Sequence, residues 1–223
     1  MRSKYEIKIT DIREKIAKLL ENITQANKIA YDAYKDNDTI KFQEVQDKLN
    51  NLGFNADMID NEIIKAFALF GPEADELRSL IAYLKMTNEI VRIGMGIKKY
   101  ARRMKEHIDS ECDLEPLNPT ILPLHKSTIA SLELICECFV NFDECNIEDN
   151  YRKVMVEESK NDDLFSILEK DIMTNIIDEK ELAIEYVKVL GSLRKLERSC
   201  DRTVNIANLM LYAKNGGEIH LHQ

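Results

Sequence analysis

Apolar residues recur at three- and four-residue steps through run after run of this chain, and that periodicity is the strongest constraint on its fold. Ile12, Ile16, Leu19, Leu20, Ile23, Ala26, Ala30, Ala33 and Tyr34 mark a first helix from about Thr10 to Asp36. A second run extends from Ile40 to Phe70, with a kink or short break expected at Asn50-Asn51-Leu52-Gly53. Gly71-Pro72 ends it and opens a third helix carrying Leu77, Leu80, Ile81, Leu84, Ile93, Ile97, Ala101 and Met104. Three further runs follow: one marked by Ile129, Leu132, Ile135, Phe139 and Phe142, one from about Ile147 to Ile176, and one from about Glu179 to Ala213 that ends at Asn215-Gly216-Gly217. No segment alternates with period two, and 7 Gly and 4 Pro in 223 residues leave few turn-formers. The expected fold is all-α, with six long helices.

The segment Asp109 to Pro123 is acidic and holds three of the four prolines, so it reads as a linker. It divides the chain into a first bundle (1–108), the linker (109–123), a second bundle (124–217) and a tail (218–223). Three helices on each side joined by short connections give two tandem antiparallel three-helix bundles. Self-similarity supports the division: laying Arg92 on Arg198, an offset of 106 residues, also places Leu84 on Leu190, Ile90 on Leu196, Ala101 on Ala207 and Met104 on Met210.

Composition excludes several classes of function. A formal net charge of −9 argues against a non-specific nucleic-acid or anionic-membrane binder. No run approaches the ~18 apolar residues of a membrane span, and Met1-Arg2-Ser3-Lys4-Tyr5 lacks a signal-peptide core. The expected location is the cytoplasm. The five cysteines follow no zinc spacing and read as reduced thiols. There is no Gly-rich phosphate loop, no G-x-S-x-G elbow, no H-E-x-x-H and no Glu-x-x-His pair, so catalysis is not expected. His107, His125, His220 and His222 lie outside or at the ends of the helical runs, where surface positions are expected. The basic run Lys98 to Lys105 reads as a solvated helix end, with docking of an acidic partner as its functional alternative.

One constellation carries chemistry. Glu197 and Asp201 stand four residues apart on the last helix, projecting from one face a turn apart along the rim of the apolar stripe. A carboxylate there is costly unless a cation, a metal or a shared proton neutralises it. The competing reading pairs the two with Arg194, Arg198 or Arg202 within the helix. The repeat does not duplicate them: the offset puts Val91 on Glu197 and Met95 on Asp201.

The motifs resemble the PhoU family of phosphate-signalling regulators. The third helix has Pro72-Glu73-Ala74-Asp75-Glu76-Leu77-Arg78 and later Glu89-Ile90-Val91-Arg92-Ile93-Gly94-Met95. The sixth has Glu197-Arg198-Ser199-Cys200-Asp201, then Asn205-Ile206-Ala207-Asn208 and Leu211-Tyr212-Ala213-Lys214-Asn215-Gly216. The resemblance covers both halves and implies two three-helix bundles that bind iron or other metals through acidic E/D-x-x-x-D pairs. Carried over, it makes Glu197, Asp201, Asp162 and Glu158 metal ligands in the second bundle, with iron as the first choice and manganese, magnesium or zinc as alternatives. It also implies a non-enzymatic adaptor between the ATPase subunit of a phosphate ABC importer and a sensor histidine kinase, with a homodimer as its allowed assembly. A divergent metal-binding protein tied to another transporter is the alternative. The first bundle departs from the pattern, because Val91 and Met95 cannot ligate a hard cation, although Asp57, Asp60, Glu76 and Glu89 lie nearby in sequence.

Overall fold

A computed structural model describes residues 4–108 and 110–216. The elements are α1 (Lys4–Lys35), α2 (Thr39–Lys48), α3 (Leu52–Phe70), α4 (Ala74–His107), α5 (Asn118–Val140), α6 (Ile147–Asp178) and α7 (Ala183–Asn215), with short 3-10 turns at Glu115–Leu117 and Lys180–Leu182. No strand occurs among the described residues. The tail and Gly217 lie outside them, as do His220 and His222.

Local chemistry sets the helix boundaries. The Asp38 carboxylate accepts from the backbone N–H groups of Ile40 and Lys41 and caps α2. The second apolar run breaks fully at Leu49–Asn51, so α2 and α3 form one bent leg of the first bundle. Gly71 adopts φ 54° and closes α3, a left-handed conformation that favours glycine. The Glu76 carboxylate reaches back to the Glu73 N–H at the start of α4 (3.2 Å). Asn146 caps α6 through the Asp149 N–H.

The first bundle packs α1 against α2, α3 and α4, and the second packs α5, α6 and α7. The two do not fold around separate centres. A single apolar core runs from Ile12, Ile16, Leu20 and Ile23 through Ile90 and Ile97 to Leu132, Leu193 and Leu196. Its spine is α4 and α7, antiparallel along most of their length: Ser79 donates to the Ala213 carbonyl at one end (3.3 Å), and Arg103 lies over Gly191 near the other. Near the middle of this seam, Glu89 is buried, pairs with Arg202 (2.8 Å) and accepts from Asn205 Nδ2 (3.3 Å). Asn205 is thus a buried amide that packs in the seam.

Three expectations are corrected. The segment read as a linker to Pro123 becomes helical at Asn118: Pro119 occupies the first turn, where its missing N–H costs nothing, while Pro123 lies inside α5. His125 is therefore no surface residue. It is fully buried on α5 with its Nε2 2.8 Å from Asn27 Oδ1 of α1, between the edge-on rings of Tyr31 and Tyr100. Burial pushes its pKa down to about 3, so it is neutral. Nor are all the thiols reduced: the turn after α5 returns Cys145 over Cys138, with Cα atoms 5.3 Å apart, and the two form a disulfide. Cys112, Cys136 and Cys200 are free.

Candidate metal centre on the second bundle

The site lies where α6 and α7 pack against α5. On its inner face, α5 carries three small polar residues, Ser127, Thr128 and Ser131, all buried. Ser127 Oγ donates to the Glu157 carbonyl of α6 (2.7 Å). Thr128 Oγ1 donates to the Leu196 carbonyl of α7 (3.3 Å) and accepts from Asn161 Nδ2 (3.1 Å), which also donates to the Leu124 carbonyl (2.9 Å). Ser131 Oγ accepts from the Cys200 thiol (3.4 Å). Each anchored residue, Glu157, Asn161, Leu196 and Cys200, immediately precedes one of the predicted ligands Glu158, Asp162, Glu197 and Asp201. Buried hydrogen bonds on the core side thereby fix the helical phase at which the four carboxylates project on the other side.

The structure brings three of them together. Glu158, Asp162 and Asp201 each present an oxygen within 4.8 Å of the others. Glu158 and Asp201 are half-buried and Asp162 is exposed. Glu197 stands beside the cluster, and its Oε2 is buried with no hydrogen-bond partner. Its pKa is pushed up to about 7, first by burial, then by the negative charges of Asp201 and Asp162, against the opposing pull of Arg194 and Arg198. Burial and the neighbouring Asp163 also raise Asp162. Of the arginines that might have neutralised the pair, Arg194 reaches Glu169 instead (2.7 Å) and stacks over Phe165, while Arg202 reaches Glu89.

This arrangement suits a hard cation. Metal–oxygen bonds of about 2.0–2.6 Å place the oxygens of one ion up to about 5 Å apart, the span of the Glu158–Asp162–Asp201 set. Glu197 supplies a fourth carboxylate whose charge a cation would relieve. An all-oxygen set favours iron, manganese or magnesium over a closed structural zinc site, which takes Cys and His.

At the equivalent place in the first bundle the acidic residues serve other ends. Val91 is partly buried against the core and Met95 is 51% exposed. Asp60 accepts from Thr87 Oγ1 (2.5 Å), Glu76 caps α4, and Glu89 pairs with Arg202. Asp57 stays on the exposed face of α3. Among the described residues the second-bundle set is the one carboxylate cluster with metal-ligand spacing. Sequence reasoning missed the α5 Ser/Thr face; its signal was the pair Ser127-Thr128 and Ser131 on the helix side that also carries Leu124 and Leu132.

Fold and site together define a two-repeat helical-bundle protein whose carboxylate cluster, among the described residues, lies on the second repeat. The profile of the PhoU domain matches twice, over residues 14–104 and 121–210, and the chain belongs to the PhoU family. Among curated proteins it is similar to the phosphate-specific transport system accessory protein PhoU homolog 1 of Methanothermobacter thermautotrophicus, 26% identical over 208 residues and covering 92% of this chain and 91% of the relative. It is also similar to the phosphate-specific transport system accessory protein PhoU of Escherichia coli, 22% identical, covering 95% and 86%. The crystal structure of PhoU from Pseudomonas aeruginosa shares the fold with a TM-score of 0.85 at 21% identity, covering 96% of this chain and all of that one. That of the phosphate transport system regulatory protein PhoU from Streptococcus pneumoniae gives 0.82 at 17% identity, covering 97% and 99%.

Proposed function

We propose that the protein is a non-enzymatic regulator of phosphate uptake and phosphate-starvation signalling. In this reading it is an adaptor between the ATPase subunit of a phosphate ABC importer and a sensor histidine kinase, working in the cytoplasm. A metal held by Glu158, Asp162, Glu197 and Asp201 tunes its structure or its assembly, including a homodimer. The observation that carries the regulatory part is the PhoU domain in both halves, together with relatives named as accessory proteins of phosphate-specific transport. No helix among the described residues is long and apolar enough to cross a membrane, which fits an adaptor acting through its helical faces. The groups that might suggest catalysis are poorly placed for it. His125 is buried between aromatic rings with its pKa near 3, and the buried Cys200 thiol is pushed up to about 12.

Deleting the gene in its own organism tests the regulatory reading. The expected phenotype is loss of repression of a phosphate-starvation reporter when phosphate is ample; unchanged reporter activity and unchanged phosphate uptake would overturn it. One observation favours the second reading, a divergent metal-binding protein linked to another transporter: Val91 and Met95 leave the first repeat without its carboxylate pair. Affinity capture separates the two, since recovery of a phosphate importer's ATPase or its kinase supports the first and recovery of a different transporter supports the second.

A further inference from the structure

The Cys138–Cys145 disulfide joins the last turn of α5 to the residue before the Asn146 cap of α6, and so closes the reversal over residues 141–146. The two bundles meet at this reversal. Phe142 turns inward, 9% exposed, and packs edge-on against Phe139 of α5 (ring centroids 5.7 Å apart) and Tyr83 of α4 (6.4 Å). Arg13 of α1 lies over the Phe142 ring (5.7 Å) and pairs with Asp143 (2.8 Å). From the second bundle, Lys214 in the last turn of α7 donates to the carbonyls of Phe142, Asp143 and Cys145 (3.4, 3.5 and 3.1 Å). Helices α1, α4 and α7 thus all depend on the curvature of one short turn. The same turn forms one wall of a surface groove of about 550 Å³, with Thr10, Arg13, Glu14 and Lys18 of α1 on the other wall.

Apart from the S–S bond, little fixes that curvature. The Asp143 side chain is 79% exposed, so solvent screens its pair with Arg13. Asn141, Glu144 and Asn146 are also exposed, and the backbone of the turn closes on the Asn141 carbonyl through the N–H groups of Glu144 and Cys145 (3.0 and 2.8 Å). The sulfurs are placed for exchange: Cys138 is buried, while Cys145 is half-buried in the exposed turn, where an incoming thiolate reaches it. The free thiols do not compete, since Cys112 and Cys200 are buried and burial pushes Cys136 up to about 11. The inference rests on the cytoplasmic location proposed above, a compartment in which disulfides are transient, catalytic or redox-sensing. The loop is also short, with a sequence separation of 7. Closing it favours the fold by only about a hundredfold, against more than about a thousandfold for a loop of about 100 residues, and by linkage the fold holds the bond no more tightly.

We infer that Cys138–Cys145 is a redox-sensitive latch, a site of thiol–disulfide exchange with a cellular dithiol, whose opening releases the 141–146 turn from α1, α4 and α7. A thiolate of the dithiol attacks the Cys145 sulfur, a mixed disulfide forms, and the Cys138 thiolate leaves and takes up a proton. The second thiol of the dithiol then loses its proton, attacks the dithiol's own sulfur in the mixed disulfide and frees Cys145 as a thiol. Two electrons pass to the protein, and the dithiol ends as a disulfide. Oxidised glutathione closes the latch by the reverse exchange and leaves as two molecules of reduced glutathione. The latch shares no residue with the carboxylate cluster, so either reading can fail alone.

Equilibration of the full-length protein with reduced and oxidised thioredoxin, read by thiol alkylation and mass, tests the exchange; an equilibrium constant within about a hundredfold of unity is expected. Hydrogen exchange then compares the two states. After reduction, residues 141–146 and the last turn of α7 exchange at least about tenfold faster, α2 is unchanged, and the melting temperature falls by about 5–10 °C. The double variant Cys138→Ser/Cys145→Ser shows the reduced pattern and ignores thioredoxin, and Cys136→Ser responds as the parent does. The unchanged α2 separates a released turn from a lost fold. In cells quenched with acid and alkylated, the pair is mostly reduced in ordinary growth and mostly oxidised after diamide. Cysteines that oxidised glutathione cannot join, a bond still closed at a hundredfold excess of reduced over oxidised thioredoxin, or reduction that leaves exchange in the turn unchanged would overturn the latch. A pair found oxidised in cells under both conditions would also overturn it, yet would leave repression of the phosphate-starvation reporter as it was, so the two readings fail separately.

Discussion

Replacing Glu197 by Gln exposes the electrostatic design of the carboxylate cluster. The charged form of Glu197 is disfavoured in the fold, because burial and its acidic neighbours raise its pKa from 4.5 to about 7. A carboxylate raised in this way contributes stability that is fully present below about pH 4.5 and lost as pH rises through about 7. A displacement of that size corresponds to roughly 3 kcal/mol at 1.36 kcal/mol per tenfold change. Glu197 keeps part of its surface in water, and solvent screening lowers this to about 1–2 kcal/mol. Metal-free Glu197→Gln is therefore expected to gain about 1–2 kcal/mol over the parent at pH 8 and little at pH 4.5. A bound cation reverses the order: at about 100 times its Kd it stabilises the parent by about 2.7 kcal/mol, and the variant gains less. Urea unfolding of parent and variant at both pH values, with and without manganese, measures all four differences. A variant less stable than the parent at pH 8 without metal would refute the reasoning, since Glu197 would then be held by a partner rather than strained by its neighbours.

Other outcomes follow from the same geometry. Asn161→Ala removes two buried hydrogen bonds, to the Leu124 carbonyl and to Thr128 Oγ1; a loss of about 1–3 kcal/mol in urea unfolding is expected, with weaker metal binding because Asp162 loses its anchor. His125 is neutral in the fold and protonates readily once unfolded. Stability is thus present above about pH 6.5 and lost as pH falls toward about 3, and His125→Gln should flatten that acid limb. Glu89→Ala leaves Arg202 unpaired in the α4–α7 seam and should cost about 2–3 kcal/mol in the same assay. Alkylation of the denatured, unreduced protein should label three cysteines, rising to five after reduction of Cys138–Cys145. Closing that short loop should contribute about 2–3 kcal/mol.

Much of the fold was legible because apolar spacing dictates helices. Ile12 to Tyr34 and Leu193 to Ala207 read directly as buried stripes, and the two-bundle division came from the proline-rich segment and was supported by the repeat of α4 in α7. The misreadings have local causes. Pro119 and Pro123 made 109–123 resemble a linker, yet a proline in a first helical turn forfeits no hydrogen bond. Accepting that boundary moved His125 to a helix end and hid its burial. The Cys138–Cys145 bond depends on a reversal after Val140 that periodicity does not encode. The carboxylate cluster was legible for Glu197 and Asp201 from their four-residue spacing. Glu158 and Asp162 came in by family resemblance, because only the packing of α6 on α7 brings them into range.

The most direct test of the central claim is a crystal of the protein grown with iron or manganese, inspected by anomalous scattering. The account predicts a peak between the carboxylates of Glu158, Asp162 and Asp201, within reach of Glu197, and none near Val91 and Met95. An empty cluster at saturating metal, or a metal bound only in the first repeat, would contradict it.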